Sequence, residues 1–249
     1  MKLPRYKRSS PVSYAFGATL TYELLKVSPN LIKRVFLRPN QKHGHDIDSI
    51  IAQLIAFNIP IIENTKVFNI LGAKDNCLII AEFDKPAMQL EATAETPHIV
   101  LVNPSDAGNL GTIIRSAVAF GYNNLAIIAP ATDHFDPKVV RASMGAIFHI
   151  NIELFGSFDD YLARYEYINS SQKRLLYSFM INPEAVNLAD VTLNDGSFSL
   201  IFGNEASGLP QEFADKTQAV FISQTPLVDS LNLSIAAGIA MYNFRQKLQ

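Results

Sequence analysis

Beyond residue 97 the chain spaces short apolar runs at intervals, each followed by a loop rich in small and polar residues, and this rhythm restricts its fold more than any other feature. The runs are His98–Val102, Leu125–Ile128, Leu175–Phe179, Ser199–Phe202 and Ala219–Ile222. Most lack the polar alternation of a half-exposed strand, so both faces are expected to be buried. Helical patterns follow, from Leu110 to Phe120 and from about Leu231 to Lys247. Strands alternating with helices predict an α/β fold built on a mostly parallel sheet covered on each side.

The first ninety residues read as a smaller α/β unit. Arg34–Arg38, Ile59–Ile62 and Cys77–Ala81 are expected strands. Asp46 to Phe57 carries Ile47, Ile50, Ile51, Leu54 and Ile55 at helical spacing, with Asp46 placed as its N-cap. The stretch from Asp84 to Pro97, with its acids, prolines and small residues, is the candidate linker, which divides the chain into domains at 1–92 and 93–249.

Charge separates the same two parts. Residues 1–42 hold nine Lys or Arg against one acid, Glu23, whereas residues 93–249 hold nine basic and fifteen acidic residues. A positive end on an acidic body suits a polyanion-binding attachment, and an ordinary solvated surface would read the same way. Lys2, Arg5, Lys7, Arg8, Arg34, Arg38 and, further on, Arg141 are the candidate contacts to such a polyanion. The single cysteine, Cys77, excludes an intramolecular disulfide. No apolar run of signal or membrane-spanning length follows the basic start, so a soluble, cytoplasmic protein is expected. The five histidines lack metal-ligand spacing, and no metal is expected.

In open parallel sheets ligands bind beyond the carboxyl ends of the strands. Three such loops draw attention. After 98–102 comes Asn103 to Arg115, in which Gly108 and Gly111 permit close backbone approach and Arg115 follows Gly111 by about one helical turn. The same pattern fits a plain helix cap at Asp106 or Asn109 with Arg115 on the surface. After 199–202 comes Gly203-Asn-Glu-Ala-Ser-Gly208, where Glu205 could accept hydrogen bonds. After 219–222 comes a segment with Ser230, Asn232 and Ser234 at a helix entrance, and an Ala-Ala-Gly238 run that would let the helix pack against another backbone.

Taken together, Asn109-Leu-Gly-Thr-Ile-Ile-Arg-Ser-Ala117, Phe202-Gly-Asn-Glu-Ala-Ser-Gly-Leu209 and Ser230-Leu-Asn-Leu-Ser234 resemble the three motifs of SpoU-type (TrmH-type) RNA 2′-O-ribose methyltransferases, in the SPOUT superfamily. Arg141-Ala-Ser-Met-Gly-Ala-Ile-Phe148 resembles a stretch such proteins carry between motifs one and two, and the likeness spans about residues 98–245. The resemblance implies a trefoil-knotted α/β domain, a homodimer, and S-adenosylmethionine as cofactor. It implies a cofactor site at Phe202, Gly203, Asn204, Gly208, Ile222 and Leu231, and a catalytic set of Asn109, Arg115, Glu205, Ser230 and Asn232. In that reading Glu205 orients Arg115 or the loops, Asn109 and Ser230 position the reactants, and Asn232 holds the motif-three turn. Residues 1–92 resemble the ribosomal-protein-like RNA-binding domain often placed in front, and the substrate would be rRNA or tRNA. An RNA-binding relative without turnover is the alternative. Five positions depart from the family pattern: Ala107-Gly108 stand where Pro-His is common, Ser223-Gln224 replace Pro-Met, and Pro226 falls where glycine is frequent.

Overall fold

The computed structural model describes residues 6–39, 41, 44–90, 96–167, 173–193 and 197–248. Lys2 and Arg5 lie outside these residues, as do 91–95 within the expected linker. The chain packs as two compact units: Met1–Ala87 with Asp133–His149, and Met88–Thr132 with Ile150–Gln249.

In the first unit, β1 (Val12–Phe16), α1 (Ala18–Val27), β2 (Ile32–Leu37), α2 (His45–Ala56), β3 (Ile61–Glu63), α3 (Thr65–Ile70) and β4 (Ile79–Asp84) follow in order. The sheet runs β1-β4-β2-β3, antiparallel except between β2 and β3. Its core gathers Tyr14, Phe36, Val67, Phe68 and Ile80, all buried. The expected strands at 34–38, 59–62 and 77–81 are present with shifted ends, whereas β1, α1 and α3 were not anticipated. Asp46 is not the cap of α2. Gly44 holds that position, and Asp46 and Asp48 lie in the first turn, where the positive end of the helix dipole favours them.

In the second unit, β5 (His98–Val102) leads through α4 (Ala107–Ala119) to β6 (Asn124–Ile128). The next helix, α5 (Pro137–Ala142), belongs to the first unit. It packs on β1, Ser13 Oγ donates to the Phe135 carbonyl at 2.5 Å, and Phe83 meets Phe135 and Phe148 edge-on. Asp133 there accepts from Lys85 Nζ at 3.0 Å and from the Tyr6 hydroxyl. A single division at residue 92 therefore does not describe residues 133–149, whose aromatic and charged partners come from the first eighty-seven.

The second unit continues with β7 (Asn151–Phe155), α6 (Phe158–Tyr165), β8 (Leu175–Phe179), β9 (Val186–Asn187), β10 (Phe198–Phe202), α7 (Glu212–Lys216), β11 (Gln218–Phe221) and α8 (Leu233–Lys247). Its seven strands, in the order β7-β6-β5-β10-β8-β11-β9, pair in parallel throughout. Ile99, Val100, Leu101, Leu125, Ala126, Leu200 and Ile201 have no exposed surface, as runs covered on both faces require. Because β5, β10, β8 and β11 all run parallel, the loops that follow these strands leave from one end of the sheet. α8 packs along α4 and β10 through Ala237, Ala240, Met241 and Phe244. Gly238 does not serve close packing here, since a methyl group added to it would meet nothing within 4 Å. Among the described residues no helix is long and apolar enough to cross a membrane.

Candidate active site

The loop after β10 is a tight turn closed by its own backbone. Asn204 and Gly208 exchange N–H···O bonds of 3.2 and 2.9 Å, and Gly208 takes a positive φ of 67°. Gly203 passes so close to the far side of this turn that a Cβ on it would lie 2.2 Å from the Gly208 carbonyl carbon and 2.4 Å from the Leu209 nitrogen. Only glycine fits there. The Asn204 side chain braces the interior of the turn, its Oδ1 accepting from Ala206 N at 2.9 Å, while its Nδ2 donates to the Asn103 carbonyl in the loop after β5 at 2.8 Å.

Glu205 projects from the same turn to the start of α4. Its carboxylate accepts from Ser105 N at 3.1 Å, Ser105 Oγ at 2.8 Å, Asp106 N at 3.1 Å and Asn109 Nδ2 at 3.4 Å. Partial burial works to raise the Glu205 pKa, but hydrogen bonds to the ionised form outweigh it and hold the carboxyl below the ordinary glutamate range. Asp106 caps α4, its Oδ1 accepting from Asn109 N at 2.7 Å. Asn109 then continues the chain of contacts: its Oδ1 accepts from Asn232 Nδ2 at 3.1 Å. Asn232 Oδ1 in turn caps α8, accepting from Ser234 N at 2.9 Å and Ile235 N at 3.4 Å. Side-chain bonds thus join all three strand-end loops, Glu205 to Asn109 to Asn232.

Beside this chain of contacts opens a cavity of about 670 Å³. Phe202, Gly203, Asn204, Gly208, Ile222 and Leu231 all line it, as do Glu205 and Ser230. Phe179 and Phe202 stack in its wall, ring centroids 4.7 Å apart and 14° from parallel. Main chain and carboxamide groups from two loops beside an aromatic wall suit a nucleoside with a polar tail, and the volume is that of a cofactor site. Asn109 and Asn232 hold the loops without lining the cavity.

Arg115 stands apart. It is exposed on α4, and no side-chain hydrogen bond or ion pair involves it among the described residues. Glu205 orients the loops rather than Arg115, because the backbone N–H groups at the start of α4 occupy its carboxylate. Both ends of the Asn109 amide are likewise committed to loop partners rather than free for a reactant. The segment Phe179–Pro183 lines the cavity and was not anticipated. The rule that pointed to the other loops also applied at the end of 175–179, but that exit has no glycine motif to mark it.

The basic candidates of the first unit divide by exposure, Arg34 and Arg38 being half-buried. Arg34 donates to Glu82 at 2.9 Å, and the Glu82 side chain is only 4% exposed. Arg38 lies 4.6 Å over the Phe68 ring and donates to the Cys77 carbonyl at 3.2 Å. Lys7, Arg8 and Arg141 are exposed.

Residues 96–242 match the SpoU rRNA Methylase family. An uncharacterized tRNA/rRNA methyltransferase from Synechocystis sp. is 32% identical over 160 residues, covering 61% of this chain and 55% of that protein. The 23S rRNA (guanosine(2553)-2′-O)-methyltransferase RlmP of Bacillus subtilis is 24% identical over 251 residues, covering 92% and 86%. The chain spans about half the length, or less, of several other curated relatives it matches. Among solved structures, the AdoMet-bound rRNA methyltransferase from Sinorhizobium meliloti superposes with a TM-score of 0.77 at 25% identity, over 96% of this chain and 88% of that one. With the family pattern spanning all three loops around the cavity, the chain belongs to the SpoU rRNA methylase family.

Proposed function

We propose that the protein transfers a methyl group from S-adenosylmethionine to a ribose 2′-hydroxyl of rRNA or tRNA. The observation that carries this reading is the Glu205–Asn109–Asn232 chain of hydrogen bonds, which draws three loops beside one nucleoside-sized cavity. The relatives named as 2′-O-methyltransferases and the AdoMet-bound neighbour support it.

The cofactor supplies an electrophilic methyl group on a positively charged sulfur. Phe202, Gly203, Asn204, Gly208, Ile222 and Leu231 would hold it, mostly through main chain and apolar contact. When bound, that group would be the methyl that a ribose oxygen takes up in exchange for its proton. The protein must orient that hydroxyl and make its proton easier to lose. Arg115 is exposed and makes no side-chain hydrogen bond or ion pair among the described residues; a guanidinium offers a fork of donors and no acceptor, so its role is to grip an RNA phosphate and polarise the hydroxyl. Ser230, whose side chain makes no hydrogen bond among the described residues, is placed at the cavity to position a reactant. Glu205, Asn109 and Asn232 fix the loops.

The first unit serves as the RNA-binding domain, with Lys7, Arg8 and Arg141 as phosphate contacts; Arg34 and Arg38 contribute charge from fixed positions. The C-terminal chain threads the trefoil knot that the resemblance implies, a reading supported by loops after β10 and β11 that flank β8. Two copies associate through the exposed face of α8, and the protein works in the cytoplasm.

The deciding experiment is Arg115→Ala. Calorimetric affinity for S-adenosylhomocysteine should stay at the wild-type value, while 2′-O-methylation, mapped on cellular RNA from strains with and without the gene, should vanish. Full methylation by the variant would refute the assignment.

A further inference from the structure

The loop leaving β11 has little apolar burial to hold it. Residues 223–230 are all exposed, Leu227 to 89%, yet Ser223 and Gln224 line the cavity. What fixes this loop is polar. Asn187, the last residue of β9 at the edge of the sheet, uses both ends of its amide. Its Oδ1 accepts from Ala189 N at 3.0 Å and caps the short 3-10 turn Leu188–Asp190. That bond dictates which way the amide faces, so Nδ2 is the donor to Ser223 Oγ, at 2.6 Å. The 3-10 turn is itself anchored by the last turn of α8, where Lys247 Nζ donates to the carbonyls of Ala189 at 3.1 Å and Val191 at 2.5 Å. On the far side the loop closes on itself, Gln224 Nε2 donating to the Asp229 carbonyl at 3.3 Å.

We propose that Asn187 is a positioning residue for the S-adenosylmethionine site, holding the exit of β11 in its ligand-binding shape through Ser223. Asn187 lies outside the cavity and acts only through the serine. An exposed loop that had to be ordered on each binding event would subtract that entropy from affinity, and a tether made in the free protein removes the loss in advance. The tether has a second consequence. Because Ser223 Oγ accepts from Asn187, its own O–H remains available to donate to a ligand in the cavity it lines. This proposal rests on the reading of that cavity as the cofactor site.

The test is calorimetric titration of the full chain with S-adenosylhomocysteine. Asn187→Ala should weaken binding about fivefold, the loss of one net hydrogen bond, with kcat at saturating cofactor unchanged. Ser223→Ala, which leaves the 3-10 cap intact, should weaken binding at least as much. The double variant should bind no worse than Ser223→Ala alone, because both substitutions cut the same bond. Wild-type affinity in Asn187→Ala or Ser223→Ala, or a double loss equal to the product of the two single losses, would overturn the proposal. Failure of the wild-type protein to bind would instead overturn the cofactor-site reading, and the proposal with it.

Discussion

At neutral pH the Glu205 carboxylate is ionised and accepts hydrogen bonds from Ser105, Asp106 and Asn109, so its charge state and the shape of the loop opening α4 are linked. Its pKa in the folded protein lies below the ordinary 4.5. A carboxyl with a depressed folded pKa contributes stability that is complete above the unfolded value and disappears as pH falls through the folded one. Stability of the wild type should therefore be insensitive to this group above pH 4.5 and decline below it, and Glu205→Gln should flatten that part of the profile in denaturant titrations at stepped pH. Gly203 makes a second prediction at this scale. Gly203→Ala places a methyl group 2.2 Å from the Gly208 backbone, where no side chain can move aside, so it should lower stability by about 2–3 kcal/mol and abolish binding of S-adenosylhomocysteine. These residues were legible because their motif is local: a glycine, a carboxylate and a second glycine within six positions. The partners of Glu205 at the start of α4 were not, since they lie 96 to 100 residues earlier and no spacing rule joins them.

The helices that open at the site depend on caps that also serve it. Asn232 caps α8 with Oδ1 and reaches Asn109 with Nδ2, so one side chain fixes both where the helix begins and where the motif-three turn sits. Asn232→Ala should cost about 1–2 kcal/mol in chemical denaturation, mostly from the lost cap. Asn232→Ser retains a capping oxygen without the reach to Asn109, so it should recover most of the stability while cofactor affinity stays reduced. Unchanged affinity in the serine variant would show that the cross-loop bond contributes nothing to binding. Element identity was readable at His98–Val102, buried along nearly its whole length, and at Leu175–Phe179, an apolar run that is exposed at its start, and the structure reproduces both residue for residue. It was not readable at α5, where six residues give too short a window for periodicity, or at β9, whose two residues become a strand only by pairing with β11.

Over the whole molecule, α8 shows water an apolar stripe at helical spacing: Ile235, Ile239 and Tyr242 are 54%, 40% and 53% exposed. Their spacing of four and three residues puts them on one face, opposite the buried Ala237, Ala240 and Phe244. A second copy of the chain is the proposed occupant, and Ile239→Glu should convert a dimer to a monomer in sedimentation velocity without loss of helical circular dichroism. A wild type that sediments as a monomer would remove that proposal. The division between what was written in the sequence and what required the fold follows the range of the interactions. The amino-acid order marked the parallel sheet and the three strand-end loops, because burial on both faces and glycine-dependent turns leave a trace within a few positions, whereas the lining segment Phe179–Pro183 emerged only in the fold. Tertiary structure alone decided that Glu205 serves the loops and not Arg115, that Arg34 is committed to Glu82, and that residues 133–149 pack with the first unit. Each of those outcomes is a competition among partners distant in the chain, and only the folded geometry selects the winner.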